Sequence, residues 1–175
     1  MPGKVIGIKM NTGYVGTVSA SADAIIQGRI AKKLIKFGEP VVLVAAENKY
    51  LGVADSITGG TTFTAPQFAG IAVREVVQAN VYDPQETPGY AANSVVDVLT
   101  RGQCTVLCQR GTPTAGGTVY VRTATSDTYP TAVVGGFEAS EEAGKTVALT
   151  NVQWTTGNMN ADKVAEVTIL TRNKA

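Results

Sequence analysis

The 175-residue chain contains no histidine, one tryptophan and two cysteines. Without histidine, the Ser-His-Asp and Cys-His arrangements of hydrolases cannot form, and the usual zinc sites lose their nitrogen ligand. Charged residues make up 17% of the chain and the formal net charge is +1. No apolar run approaches the roughly 18 residues that a membrane-spanning helix needs. We therefore expect no enzyme, no cofactor or metal, and no membrane partner.

The two cysteines, Cys104 and Cys108, lie four residues apart in an apolar stretch. If that stretch is a strand, its rise of about 3.3 Å per residue places their Cα atoms roughly 13 Å apart. A disulfide requires Cα atoms within about 7 Å of each other. We therefore expect two buried, unpaired thiols, because free cysteine behaves as a small apolar residue.

The chain is rich in turn residues, with 19 glycines and 7 prolines, and 44% of its residues are hydrophobic. Short Val-, Ile- and Leu-rich runs alternate with Gly, Pro, Asn and Asp turns at residues 71–77, 95–99, 104–108 and 119–121. This pattern predicts an all-β fold, a small antiparallel β-barrel or sandwich with an extended N-terminal arm and long loops.

Two details of this region are predicted from turn chemistry and alternation. Residues 100–103, with Gly102 at the tight position, predict a hairpin between the runs 95–99 and 104–108. In the run near residue 120, Val119 and Val121 should face inward. The residues that should face outward there are Thr118, Tyr120 and Arg122.

The chain is short enough for one core, and we expect a single β domain over residues 37–175. Residues 1–36 are expected to be a basic N-terminal arm or peripheral segment. Within it, Val5 to Met10 alternates as a strand or an extended arm does. Residues 22–36 keep approximate helical spacing, but Gly28 weakens a helix, so a short helix and an irregular basic arm both fit.

The N-terminal 36 residues carry six basic side chains against one acid, Asp23, for a net charge of +5. The remaining residues carry nine basic and thirteen acidic side chains, for a net charge of −4. Such asymmetry indicates either a solvated face or a surface that docks on an acidic partner. Nucleic acid is not an expected partner, because no aromatic residues are interleaved with the basic ones.

A series of segments in fixed order carries a family resemblance: IKFGEPVVL at 35–43, FAGIAVRE at 68–75, Tyr90 followed by VVDVLTRG at 95–102, GGTVYVRT at 116–123, and NVQW at 151–154 with AEVTI at 165–169. From about residue 35 onward, the chain resembles the capsid cement (head decoration) proteins of tailed bacteriophages. The resemblance implies a small β-barrel or sandwich with extended arms and no catalytic residues.

The same resemblance implies a location and partners. A protein of this kind is made in the host cytoplasm without export and binds the outer capsid surface of the virion. There it bridges subunits of the major capsid protein and contacts neighbouring copies of itself as a homo-oligomer. Basic side chains and tyrosines are the candidate capsid interface, although each tyrosine could instead pack at the rim of the barrel. The residues are Lys4, Lys9, Arg29, Lys32, Lys33, Lys36, Tyr82, Tyr90 and Tyr120.

An alternative from another class is a β-sandwich binding module, adhesin-like or sugar-binding, on a phage tail or fibre. Such a module would present an aromatic platform in a groove. With Trp154 as the single tryptophan and aromatics at 6%, the composition argues mildly against it.

Overall fold

The computed structural model describes residues 13–74 and 89–173. Within those residues the chain forms eleven strands, one short α-helix and one 3-10 turn, and the predicted all-β class is confirmed. The strands are β1 (Val18–Ala31), β2 (Ile35–Lys36), β3 (Pro40–Val44), β4 (Lys49–Gly52), β5 (Phe68–Ala72), β6 (Gly89–Tyr90), β7 (Val95–Arg110), β8 (Thr118–Arg122), β9 (Phe137–Glu138), β10 (Thr146–Met159) and β11 (Val164–Ile169). The α-helix, α1, is Val53–Thr58, and the 3-10 turn is Ala65–Gln67.

Nine of these strands form one sheet that closes on itself twice through the 16-residue strand β7. The first ring runs β1-β4-β3-β5-β7, and the second ring runs β7-β11-β10-β8-β9. Neither ring is the purely antiparallel barrel of the prediction. Each is closed by a parallel pairing of only two residue pairs, β1 with β4 and β7 with β9. Strands β2 and β6 form a separate two-stranded ladder.

The predicted hairpin at residues 100–103 is wrong, because β7 continues straight through it. Gly102 adopts a φ of +117°, a conformation that glycine tolerates and other residues rarely adopt. A Cβ atom at this position would lie 2.9 Å from the Cα of Ala24. On the other side of β7, Gly102 pairs with Ile169 of β11. The glycine therefore permits close contact with β1, and pairing with the flanking strands keeps the chain extended.

Residues 22–36 are neither a helix nor an irregular arm, since β1 covers residues 18–31. From Ile26 to Ile30, β1 pairs residue by residue with β7. The isoleucines that suggested helical spacing are β-branched and suit a strand at least as well. This part of the basic segment thus belongs to the main sheet, and residues 1–12 lie outside the described residues.

Two groups of buried side chains support the rings. The larger contains Trp154, Phe137 and the predicted inward residues Val119 and Val121. The smaller surrounds Tyr50 and Tyr90 near the β2–β6 ladder. Both cysteines are buried and free, as predicted. Burial raises the pKa of each thiol, because desolvation disfavours the thiolate.

Candidate interaction surface

Four of the predicted interface residues lie together where β1 ends and the chain turns into β2. Lys32, Lys33 and Lys36 are exposed, and Arg29 is half-buried on β1. We call these four residues the basic corner. The other two basic candidates, Lys4 and Lys9, lie outside the described residues, as does Tyr82.

The lysines of the basic corner are partly neutralised within the chain. Lys32 forms an ion pair with Glu47, and the Nζ of Lys33 lies 2.9 Å from Oδ1 of Asp55. Exposed ion pairs of this kind contribute little to stability, because both groups remain hydrated. The corner thus presents less uncompensated positive charge than the amino-acid count predicts.

Arg29 differs from the lysines, because no carboxylate among the described residues pairs with it. Its guanidinium carbon lies 5.5 Å from the centre of the Tyr50 ring, a cation–π contact. Its Nε is buried and has no hydrogen-bond partner there. A buried donor without an acceptor is uncommon and costs free energy, so this arginine calls for an explanation.

Exposed apolar side chains adjoin the basic corner. Ile30 on β1 and Val95 on β7 are cross-strand partners and are 43% and 60% exposed. Leu34, in the turn after β1, is also exposed. The sequence placed Val95 in an apolar run predicted to form a strand, without assigning its side chain to either face. The signal was present, because adjacent residues Val95 and Val96 of a strand must face opposite sides.

Beside this patch, an open groove separates β1 from the turn that precedes β4. It has a volume of about 520 Å³ and is lined by residues 27–30 and 47–49. Strands β1 and β4 pair only through Ile30 with Lys49 and Ala31 with Tyr50. They diverge on the N-terminal side of these pairs, which opens the groove.

The predicted tyrosine anchors are placed differently from one another. Tyr90 is only 1% exposed, and its hydroxyl donates a hydrogen bond to the carbonyl of Val73. The prediction that Tyr90 points outward is therefore wrong, because its ring packs edge-on against Phe37 in the smaller core. Tyr120 is half-buried on β8.

Two further aromatic residues bear on the binding alternatives. Tyr14, which the sequence reasoning missed, is 77% exposed, and its ring lies 5.4 Å from the Arg74 guanidinium. Trp154 is fully buried, so it supplies no platform for a sugar. The binding-module alternative depended most on this tryptophan, so its burial argues against that alternative.

The second ring holds a buried ionic cluster instead of an exposed one. Arg122 was predicted to face outward, but it is 0% exposed and forms an ion pair with the equally buried Glu138. Arg110 donates to the same carboxylate at 2.7 Å, and Arg122 also reaches Glu142 at 2.7 Å. The hydroxyl of Ser126 and then Arg122 lower the pKa of Glu142. These charges pair with one another inside the second ring.

A metal-binding cluster and a membrane-spanning helix are both absent from the described residues. In residues 13–74 and 89–173, no group of three or more His, Cys, Asp or Glu side chains is arranged to hold a metal ion. None of the helices in the same ranges has the length and apolarity required to cross a membrane.

Comparison with known proteins agrees with the geometry. A family model described as "Structural cement protein (E217 gp24/Pam3 gp6)" matches residues 1–170. A solved structure titled "The capsid of Myoviridae Phage XM1" contains a chain of similar fold, with a TM-score of 0.66 and 18% identity over 98% of both chains. No curated protein matches the chain.

Proposed function

The chain belongs to the phage structural cement protein family, and from this premise we propose that it binds the outer surface of the capsid and bridges neighbouring subunits of the major capsid protein. Membership of this family assigns it a structural role as a capsid component. The partner, the outer location and the contact with neighbouring copies are our proposal. So is the use of the basic corner as the contact surface.

The observation that carries the proposal is the exposed apolar pair Ile30 and Val95 beside the basic corner. Exposed apolar side chains rimmed by charge are typical of protein–protein contacts. Burying one such side chain contributes about 1.5–3 kcal/mol. The lysines around it would steer the protein towards an acidic capsid surface, since complementary charge accelerates encounter.

A capsid lattice repeats the same site many times, so a contact need not be strong by itself. When one molecule touches two capsid subunits, the second contact forms at a high effective concentration. Two closed rings that share β7 supply a body that holds its contact surfaces at a fixed spacing. This geometry suits a bridge better than it suits a flexible binder.

The test uses capsids that lack this protein, mixed with the purified chain over a range of concentrations. Copies bound per capsid are counted after sedimentation, and the temperature at which capsids disrupt is measured with and without it. We expect saturable binding, weakened by salt, and a higher disruption temperature. Val95→Glu should weaken binding by about ten-fold or more, because it places a charge in the buried apolar contact.

Val133→Glu is the matched control, since Val133 is 67% exposed and lies far along the chain, after β8. It should bind as the unaltered chain does. If the unaltered chain fails to sediment with capsids, the proposed function is wrong. If it binds and Val95→Glu binds equally well, the cement role stands and the basic corner is not the contact surface.

A further inference from the structure

The backbone of β1 leaves one edge without a strand partner. Ala31 donates its N–H to Ser94 and accepts from the N–H of Asn93, both at 2.8 Å, so its polar groups face the β7 side. Strand residues alternate in this respect, and Lys32 accordingly donates to Tyr50 of β4 on the opposite side. The N–H and C=O groups of Ile26 and Gly28 therefore point away from β7.

At those two residues β4 is no longer alongside. The pairing of β1 with β4 is confined to residues 30 and 31, and no strand of the described part of the chain flanks Ile26 or Gly28 on that side. The groove lies there, with Gly28 exposed in its wall. An unpaired strand edge beside a groove is the arrangement by which proteins accept an extended segment as an added strand.

The two faces of β1 at this edge differ in chemistry. A Cβ on Gly28 would lie 3.4 Å from Val95 and 3.6 Å from Oδ1 of Asp97, so Gly28, Ile30 and Val95 share one face with a single carboxylate. Gln27 and Arg29 lie on the other face, where Arg29 stacks on Tyr50 and leaves Nε without a partner. Because the side chains of an added strand also alternate, they would meet the apolar pair Ile30 and Val95 on one face and a cation on the other.

We propose that the free edge of β1, from Ile26 to Arg29, receives an extended segment of the major capsid protein that alternates apolar and acidic residues. The segment's apolar side chains cover Ile30 and Val95, and an acidic side chain pairs with Arg29. This inference rests on the proposed function and names the part of the capsid protein that the basic corner binds. The four residues of this free edge match a strand segment about 13 Å long.

A pair of variants at one residue separates the backbone contact from any change of shape. Gly28→Pro removes the outward N–H, and the β1–β7 ladder keeps its bonds because that N–H points the other way. Gly28→Ala keeps the N–H and adds a Cβ at ordinary contact distances. On capsids that lack the protein, Gly28→Pro should bind about ten-fold more weakly, as expected when the capsid segment loses a buried hydrogen-bond donor. Gly28→Ala should bind as the unaltered chain does.

A second pair of variants tests the charge. Arg29→Gln should weaken binding by about ten-fold and reduce its dependence on salt, because a hydrogen-bonded ion pair is lost. The control is Lys163→Gln, on the exposed turn between β10 and β11, which should leave both properties unchanged. Melting curves of all four variants confirm that they fold. If Gly28→Pro does not fold, Arg29→Gln and the amide-exchange measurement carry the test.

Hydrogen exchange measures directly whether the amides along the free edge of β1 are protected. When the protein is bound to capsids, the amides of Ile26 and Gly28 should exchange more slowly. In the free protein they should exchange fast at any protein concentration.

If the unaltered chain decorates capsids while these amides stay fast and Gly28→Pro binds normally, the strand addition is wrong and the cement role survives. Protection that appears without capsids and grows with protein concentration means a second copy fills the edge, which also overturns the proposal. An unchanged affinity and salt dependence in Arg29→Gln would overturn the acidic character of the segment. No binding by the unaltered chain refutes the cement role itself.

Discussion

Arginine is used in opposite ways in the two rings. In the second ring, Arg122 is completely buried, shares the carboxylate of Glu138 with Arg110, and also pairs with Glu142. In the first ring, Arg29 stacks on Tyr50 and has no carboxylate partner among the described residues. The two arginines of the second ring thus pair within the chain and stabilise its structure. Arg29 of the first ring is left available to a partner.

The difference has a topological cause. Strand β9 pairs edge to edge with β8 and brings Glu138 to Arg122, and the segment after β9 brings Glu142 to the same guanidinium. Among the described residues, no strand flanks residues 26–29 of β1 on the groove side, and no carboxylate pairs with Arg29. A partner that supplies a carboxylate there would give Arg29 the kind of ion pair that Arg122 already has within the second ring.

The largest expected effect comes from breaking the buried ionic cluster. Glu138→Gln leaves Arg122 and Arg110 without their shared carboxylate, and removing one partner of a buried ion pair costs about 3–5 kcal/mol. Chemical denaturation should show this loss in the free energy of unfolding. Glu141→Gln, at an exposed neighbour, should change it by less than about 0.5 kcal/mol. Equal losses in the two variants would mean that the cluster is not a special source of stability.

A smaller effect should follow from altering the strand that both rings share. Gly102→Ala combines an unfavourable φ with a contact of 2.9 Å to Ala24. Gly116→Ala meets a positive φ of +72° but nothing within 4 Å, so it should cost about 1 kcal/mol for the backbone alone. We expect Gly102→Ala to cost a further 1–3 kcal/mol or so, from overpacking. Amide exchange should then accelerate in β1 and in β11. Acceleration in only one of these strands would contradict the view that β7 couples the rings.

The smallest expected effect is on how the free energy of unfolding depends on pH. Glu142 in the second ring and Glu39 in the first should contribute with opposite signs. The pKa of Glu142 lies below its ordinary 4.5, so its contribution is present above that pH and is lost as pH falls through the lowered pKa. Burial raises the pKa of Glu39 in the first ring, only partly opposed by the N–H of Lys36. The folded state therefore favours protonated Glu39, and that stabilisation is lost as pH rises through the raised pKa.

Denaturation between pH 3 and pH 7 checks both signs. Glu142→Gln should make the decline of stability at acid pH shallower than in the unaltered chain. Glu39→Gln should make it steeper, because a term that favours the folded state at low pH is removed. Slopes that change in the same direction would refute the contrast between the two rings.

Much of the fold could be predicted from local patterns. The strands near residues 71, 97, 106 and 120 were expected, and so was the burial of both cysteines, because alternation and apolar runs report burial directly. The hairpin at Gly102 was predicted wrongly, since a glycine permits a turn but also permits close contact with a neighbouring strand. Arg122 was assigned to solvent because of alternation alone. Its burial is possible because Glu138 of β9 pairs with it and offsets the loss of hydration.

The candidate site was less accessible to sequence reasoning. The basic residues between 29 and 36 were identified, but their partial neutralisation by Glu47 and Asp55 depends on segments that are distant in sequence. The burial of Tyr90 likewise depends on Phe37 and Val73. Local patterns carry no information about such partners, because the contacts are made only when the sheet closes.

By itself, the sequence determined that this protein is an all-β chain without histidine-based chemistry, with a basic N-terminal segment and the motifs of a phage cement protein. These properties are local or compositional, so folding does not alter them. Only the tertiary structure decided that β7 is shared by two rings, that Arg122 is buried, and that β1 keeps a free edge beside Arg29. Those outcomes depend on which distant strands meet, and strand pairing is set by the packing of the whole sheet rather than by any one segment.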